Sequence, residues 1–474
     1  MNFSEKILNF TKREDPRTWW REYPPKFTYR MKILDSEKIK QYLNDVFGGK
    51  DQQIGVYIQI PFCRSRCRFC KFYSEIPKNQ NEIDDYLDCL EKEIYLYGIN
   101  FKNTPLDNLY IGGGTPTILS ERQWRRLFQI IHKFFVFKKG APILTEGTPE
   151  TSTLSKLKLL KSLGISRFTI GAQSFDDEVL KKANRIHDVK DIYRSFGLAR
   201  KAGISFINLD ILLGLSGEKW DSYLRLLKGI SDLKPDCVSF MTMDFGSFVD
   251  PGYEKETVSS SCFFRQSLKP KIFLYLIYIL EKIGYEKAQG FSDSTYILRG
   301  RENSVNRNLL CRNRLNPVFG IGTTAESSLG HLKYYNTLKD KNYLKRLREN
   351  KLPYFVGTEL SRDEYMRRYF IYSFVLWGKI NKKDFFRKFG EDIKTVIDGK
   401  FQEAENDHKL FDAGDDLIFL PSSENIRGVG KFYGKNYGKQ ERFFLFCVKY
   451  FYSPSVINQC KKLISKIHKH KRKK

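Results

Sequence analysis

No apolar run in this chain is long enough to cross a membrane. The longest, Ile272 to Leu280 and Phe443 to Val448, fall well short of the ~20 residues a spanning helix needs, so no membrane span is expected. Met1-Asn2-Phe3-Ser4-Glu5-Lys6 lacks the apolar core of a signal peptide. Cysteine is sparse and uneven: of nine, three are clustered and six dispersed, a pattern that excludes a disulfide framework and suits a reducing cytoplasm. Acidic residues are outnumbered, 55 against 82 Lys and Arg, for a net charge of +27. Such a balance attracts anionic partners, yet the charges are scattered, and no zinc-finger or aromatic-basic recognition motif accompanies them, so nucleic acid is not expected as a partner. Histidine is absent between His187 and His331. What the chain does have is core-forming material. A composition 41% hydrophobic and 15% aromatic argues against disorder, and 474 residues exceed what one core usually supports. One large domain and a smaller one are expected.

The stretch Ile58-Gln59-Ile60-Pro61-Phe62-Cys63-Arg64-Ser65-Arg66-Cys67-Arg68-Phe69-Cys70 places three thiols at spacings of four and three on one loop. Three soft ligands in one loop point to a metal site. Closed structural zinc takes four protein ligands, whereas a cubane held by three thiolates keeps one iron open to an outside chelator. No fourth Cys or His lies nearby, since Cys89 falls in a polar stretch that reads as a surface helix. A disulfide pair or a zinc knuckle remain the alternatives on spacing alone.

From Gly55 a unit repeats: a short apolar strand, a polar or Gly-rich loop, then a helix ending in Gly. Leu163-Gly164, Ala202-Gly203 and Ile283-Gly284 mark such helix ends. The unit builds a parallel sheet, with strands expected at Gly55–Ile60, Leu109–Gly112, Ile143–Glu146, Arg167–Gly171, Phe206–Asp210 and Cys237–Met241. Six such units favour an α/β fold, a partial or full TIM-type barrel. The cysteine loop, Gly112-Gly113-Gly114-Thr115-Pro116, Glu146, Gln173-Ser174 and Asp210 each end one of the first five strands. All therefore lie at one carboxyl edge, where such folds hold ligands.

Cysteines in a C-x3-C-x2-C pattern with an aromatic before the third resemble the signature of radical S-adenosylmethionine (SAM) enzymes. Together with Tyr57-Ile58-Gln59-Ile60-Pro61-Phe62-Cys63, Ile111-Gly112-Gly113-Gly114-Thr115-Pro116, Thr169 to Phe175, Asn184-Arg185-Ile186-His187 and Asp210 to Leu215, the chain resembles the oxygen-independent coproporphyrinogen III oxidase family, including its heme chaperone and radical methyltransferase branches. That resemblance implies a [4Fe–4S] cluster on Cys63, Cys67 and Cys70 and SAM on the open iron. It places the SAM amino group at Gly113, Gly114, Thr115 and Glu146, the carboxylate on Arg185, the ribose on Gln173 and Asp210, and the adenine against Phe69. Tyr57 and Glu146 are put forward as catalytic. A second SAM is an option at the far wall, where Gly284-Tyr285-Glu286 and Gly320 to Glu326 are expected. A flavodoxin- or ferredoxin-type protein would supply the electron.

The expected activity is cleavage of SAM to a 5′-deoxyadenosyl radical that abstracts hydrogen from a bulky tetrapyrrole or natural-product scaffold, with methyl transfer as an option. Oxidative decarboxylation of coproporphyrinogen III and heme carriage are the alternatives. Gln59, Leu213, Ser216 and Asn184 stand where the family usually has His, Tyr, Pro and Gly, which argues for a different substrate. The expected layout is an N-terminal arm at 1–50, a radical SAM barrel at 51–295, a barrel-closing segment at 296–355, a small helical or winged-helix-like domain at 356–455 and a basic tail at 456–474.

Overall fold

The computed structural model describes residues 32–49, 53–242, 269–288, 295–301, 316–336, 340–377, 379–396, 403, 406 and 410–419. Trp19-Trp20, Tyr23-Pro24-Pro25, His408, the run Phe443 to Val448 and the basic tail lie outside the described residues. Backbone contacts divide the chain into two compact units, one over Ile33–Gly357 and one holding the described residues from Thr358 on. No described helix is long and apolar enough to cross a membrane.

In the first unit β1 (Lys32–Leu34) leads into α1 (Ser36–Gly48), capped by Asp35. There follow β2 (Gly55–Ile60), α2 (Gln80–Leu96), β3 (Asn108–Gly113), α3 (Glu121–Phe134), β4 (Ile143–Gly147), α4 (Leu154–Ser162), β5 (Ile165–Gln173), α5 (Asp177–Lys182), α6 (Val189–Lys201), β6 (Phe206–Leu213), α7 (Trp220–Leu233) and β7 (Cys237–Thr242). Then come α8 (Lys269–Lys282), β8 (Tyr285–Lys287), β9 (Thr295–Leu298), β10 (Val318–Ile321), β11 (Glu326–Leu329), β12 (Leu332–Asn336), α9 (Asp340–Arg348) and β13 (Phe355–Glu359). Strands β2 to β7 are parallel neighbours in sequence order. The full sheet runs β1-β13-β12-β11-β10-β2-β3-β4-β5-β6-β7-β9-β8. Among the described residues its two ends, β1 and β8, are not paired, the layout of a partial TIM-like barrel. Beyond β2 to β7 the sheet is extended at both sides: β10 pairs with β2 in parallel, and β9 with β7 antiparallel.

Residue parity along these strands separates two faces. Val56, Ile58, Ile60, Leu109, Ile111, Phe168, Ile170, Leu209, Ile211, Val238 and Phe240 share one core with helix residues such as Leu87, Trp124, Leu160, Ile192 and Ile230. Each fully buried aliphatic side chain there contributes about 1.5–3 kcal/mol. The alternate positions, among them Tyr57, Gln59, Tyr110, Glu146, Thr169, Gln173, Asn208, Asp210 and Ser239, look the other way. Gly164, Gly203 and Gly284 end their helices at φ +89°, +81° and +96°, the left-handed conformation that glycine adopts without a Cβ penalty.

Two expectations are corrected. Cys89 does lie on a helix, but it faces the core and is buried, because Asp84, Asp85 and Asp88 occupy the outer side of α2. Tyr285 donates its hydroxyl hydrogen to Pro235 O at 2.7 Å. It pairs with Leu298, whose amide reaches Asp236 O, so Gly284-Tyr285-Glu286 starts at the amino end of β7 rather than lining the carboxyl edge.

The second unit holds α10 (Arg362–Trp377), β14 (Lys379–Asn381), α11 (Lys382–Phe389), α12 (Ile393–Val396), β15 (Leu410–Ala413) and β16 (Asp416–Phe419). Its sheet is antiparallel in the order β14-β16-β15. The capping box expected from Ser361-Arg362-Asp363-Glu364 is present: Glu364 N donates to Ser361 Oγ at 3.1 Å and Ser361 N to Glu364 Oε2 at 3.3 Å.

Candidate active site

The loop after β2 is closed at its base, where Glu75 N donates to Pro61 O at 2.7 Å and Cys63 N to Glu75 O at 2.8 Å. Inside it the Arg66 guanidinium donates to Ser74 Oγ (2.8 Å) and Cys70 O (3.1 Å). Asn184 Nδ2 then holds Arg66 O at 2.8 Å, and Arg68 N donates to Ala183 O at 3.1 Å. Asn184 sits at φ +58°, a conformation for which Asn is the natural substitute for the family's Gly. Phe69 packs against Val179, Ala183, Leu212 and Leu215. The cysteine loop is thus sewn to α5 and the end of β6.

Gly113 and Gly114 bring the second loop against the first. A Cβ on Gly114 would lie 2.6 Å from Phe62 O and 2.8 Å from Cys63 Sγ, and one on Gly113 (φ +124°) 2.5 Å from Ile60 O. Only glycine allows this approach. The amides of Gly113, Gly114 and Thr115 donate to Glu146 Oε1 (2.8 Å), Ile60 O (2.8 Å) and Phe62 O (2.8 Å). The Thr115 hydroxyl meets Cys63 Sγ at 3.5 Å. Glu146 also accepts from Tyr110 Oη at 2.5 Å, and the Tyr110 ring lies 5.5 Å from that of Tyr57. Tyr57 in turn donates to Gln59 Oε1.

On the far side Arg185 Nη1 donates to Cys67 Sγ at 3.1 Å and Nη2 to Gly171 O at 2.9 Å. Gln173 ends β5 at φ +67° beside an irregularity in the β5/β6 register; a non-glycine residue there costs on the order of 1 kcal/mol and turns the side chain out of the ladder. Asp210 accepts from Asn208 Nδ2 at 2.7 Å, and Ser239 Oγ donates to Asn208 Oδ1 at 3.0 Å. Cys63, Gly113, Gly114, Thr115 and Glu146 form one bonded group and Cys67 with Arg185 another, the two joined by the cysteine loop, while Phe69 lies on that loop and Asp210 on β6.

The residues fit the cluster that the spacing suggested. Cys63, Cys67 and Cys70 are free thiols, each partly exposed. Burial pushes the Cys70 thiol up to about 11 and raises that of Cys63, where the Thr115 hydrogen bond opposes it, so ligation has to displace protons. No group of three or more His, Cys, Asp or Glu side chains among the described residues is gathered around a single ion. A cubane, whose ligated irons sit at separate corners, asks for a wider spread than one zinc ion does. The donor set also carries a neighbouring guanidinium, which suits an anionic ligand beside the thiols.

Residues 57–228 match the profile of the radical SAM superfamily. The chain carries a radical SAM domain. Such a domain binds a [4Fe–4S] cluster and SAM. This radical SAM chain is 27% identical to the heme chaperone HemW of Bacillus subtilis (strain 168) over 366 residues, 74% of the chain and 90% of the relative. It is 28% identical to the oxygen-independent coproporphyrinogen III oxidase of Escherichia coli (strain K12) over 369 residues, 75% of the chain and 80% of the relative. The solved structure of coproporphyrinogen III oxidase from Escherichia coli superposes with a TM-score of 0.72 at 21% identity, covering 89% of this chain and 95% of that one. The superposition shows a shared α/β fold.

Sequence reasoning missed three groups in the radical SAM unit. His187 is buried, with Nδ1 3.3 Å from Glu150 Oε2 and from Arg185 Nη2, and Nε2 3.2 Å from Ala172 O. Burial acts to raise the Glu150 carboxyl, but bonds from His187 and Thr148 and the Arg185 charge outweigh it and hold it at about 2. Glu93, on α2, accepts from Gly322 N (2.9 Å), Asn336 Nδ2 (2.7 Å) and Tyr343 Oη (2.6 Å); burial outweighs these bonds and moves it up to about 7. The signals were faint: Glu150 reads as part of a turn, and His187 stood in a quoted motif without a role. Leu213, by contrast, loses the significance given to it. It is buried in the helix-covered core and cannot read a substrate, which leaves Gln59 as the departure that faces the site.

Proposed function

We propose that this chain is a radical SAM enzyme that abstracts hydrogen from a bulky substrate of the tetrapyrrole class. The observation that carries the reading is that two bonded groups, Cys63 with Thr115 beside Gly113 and Glu146, and Cys67 with Arg185, meet on one cysteine loop after β2. Relatives named for coproporphyrinogen and for heme support the substrate class.

Cys63, Cys67 and Cys70 would hold the cluster, and Arg185 would take the SAM carboxylate as a charge-assisted bond. The amino group needs acceptors. The amides of Gly113 to Thr115 are already spent as donors, so Glu146 and the Thr115 hydroxyl are the groups of the right polarity. Gln173 and Asp210 would accept ribose hydroxyls, and Phe69 would cover the adenine. A reduced cluster on Cys63, Cys67 and Cys70 would supply the electron for cleavage of SAM to methionine and a 5′-deoxyadenosyl radical; the protein's part is to position the reactants and shield them. Tyr57, held by Gln59 and backed by Tyr110, stands on the same face as Glu146 and would meet the substrate. A flavodoxin- or ferredoxin-type protein would deliver the electron.

Heme carriage is the second reading, favoured by the likeness to a chaperone. Anaerobic incubation with SAM carrying a deuterated methyl group, a reductant and candidate tetrapyrroles, followed by mass spectrometry, separates the readings. Substrate-dependent release of 5′-deoxyadenosine with a modified tetrapyrrole is the expected result. Label in the product adds methyl transfer, and loss of carbon dioxide from coproporphyrinogen III identifies decarboxylation. No deoxyadenosine together with stoichiometric heme binding would replace the enzyme reading with the carrier.

A further inference from the structure

Arg185 is a long side chain that must present its charge beside the thiols. Left free, an arginine carries rotamer entropy that binding would have to remove. Here it is already spent. Nη2 is committed to Gly171 O at 2.9 Å and lies 3.3 Å from His187 Nδ1. Nη1 rests on Cys67 Sγ at 3.1 Å. The buried Nε–H has no acceptor among the described residues, the condition of a donor held ready for a ligand.

His187 is fixed in turn. Its side chain is fully buried, and because the Ala172 carbonyl can only accept, Nε2 must carry a proton in that 3.2 Å contact. Nδ1 is then placed between a guanidinium and a carboxylate, each at 3.3 Å. As a lone pair it accepts from Arg185; protonated, it donates to Glu150. Glu150 is itself held by Thr148 Oγ1 at 2.5 Å, on the turn that follows β4. Two strand ends, those of β4 and β5, and the segment after α5 thus converge on one guanidinium.

We propose that His187 and Glu150 are positioning residues that fix the Arg185 guanidinium for the SAM carboxylate, with His187 as the contact and Glu150 as the counter-charge behind it. The proposal rests on the reading of Arg185 as the carboxylate partner. Of the three, Arg185 is the one bonded to a thiol, so His187 and Glu150 act through it.

The test is a double-mutant cycle on anaerobically reconstituted full-length protein, with SAM affinity measured by calorimetry and the reduced cluster followed by electron paramagnetic resonance. His187→Ala should weaken SAM binding about tenfold in the wild-type background, yet change it less than about twofold in Arg185→Ala, because the effect travels through the lost side chain. Glu150→Gln should weaken binding about threefold. His187→Asn, which restores an acceptor near the Nδ1 position, should recover most of the loss and serves if the alanine variant does not fold. Iron content and the spectrum of the SAM-free reduced cluster should not move. Equal losses in both backgrounds, or a changed SAM-free spectrum, would make His187 a general structural residue and overturn the proposal. Wild-type affinity in His187→Ala beside weakened binding in Arg185→Ala overturns the proposal alone. Wild-type affinity in Arg185→Ala overturns both it and the reading beneath it.

Discussion

The two faces of the central sheet are built from the same strands and differ in almost every physical respect. On the helix-covered face Val56, Ile58, Ile111, Ile170 and Leu209 are interchangeable in kind: each is aliphatic, buried and in contact with helices. On the other face Tyr57, Gln59, Tyr110, Glu146, Asn208 and Asp210 each have a specific bond, such as Tyr110 to Glu146 and Asn208 to Asp210. A parallel sheet is ordinarily apolar on both sides. A polar second face on strands this central means that stability was surrendered there for binding, and that one face should answer to stability assays and the other to ligand assays.

The strongest break comes from the loop that crowns the polar face. Anaerobically reconstituted protein should carry ~4 irons and ~4 sulfides per chain. Replacing Cys63, Cys67 and Cys70 together with Ala should remove them while the helix-covered core keeps the fold. Iron and sulfide analysis beside circular dichroism checks both halves, and unchanged iron in the triple variant would sink the assignment.

Neighbouring residues on one strand should then part company. Ile170→Ala leaves a cavity under the helices and should cost about 2–5 kcal/mol of unfolding free energy. Asp210→Ala, facing the other way, should cost less than about 1 kcal/mol and instead weaken SAM binding by roughly tenfold. Urea titration and calorimetry on the same two proteins read the contrast. Comparable stability losses would show that the polar face is structural after all.

The finest contrast is between two carboxylates. Glu150, near the site, is held at about 2 against an ordinary 4.5. A depressed carboxyl contributes stability above its unfolded value and loses it as pH falls, so the urea midpoint should drop between pH 4.5 and 2, by on the order of 2–3 kcal/mol, and less so in Glu150→Gln. Glu93, behind the helix-covered face, is raised from 4.5 to about 7. Its contribution is complete below 4.5 and is lost as pH rises through 7, so Glu93→Gln should flatten the alkaline side of the profile. Loss of the alkaline slope in Glu150→Gln, rather than in Glu93→Gln, would reverse the assignment.

Much of this was legible before the fold was seen. All six strands β2 to β7 were found, because Gly55–Ile60 and its successors are short apolar segments with helices and glycine stops between them, and local propensity and tertiary role agree; the parallel strand β10 was not. The cysteine loop, Gly113-Gly114-Thr115, Glu146 and Gln173 could be placed at the ends of β2 to β5 from their strands alone, whereas Asp210 lies within β6, which runs on to Leu213, and Arg185 follows α5. His187, Glu150 and Glu93 were not legible. Their significance lies in partners 37 or more residues away, His187 across from Glu150 and Tyr343 across from Glu93, and no periodicity encodes such pairs. Cys89 was placed on a helix but on the wrong side of it, since three aspartates nearby masked its inward direction.

Sequence alone determined the order of strands and helices, the cofactor chemistry implied by three thiols on one loop, and which residues stand at strand ends. Those follow from local preference and spacing, which the chain carries along its length. Tertiary structure decided that the described strands form a partial barrel, that Leu213 belongs to the core while Gln59 faces the site, and that Arg185 is gripped by His187 with Glu150 behind it. These depend on which residues distant in the chain come to lie within a hydrogen-bond length of each other, and only the packing of helices against one face of the sheet sets that distance.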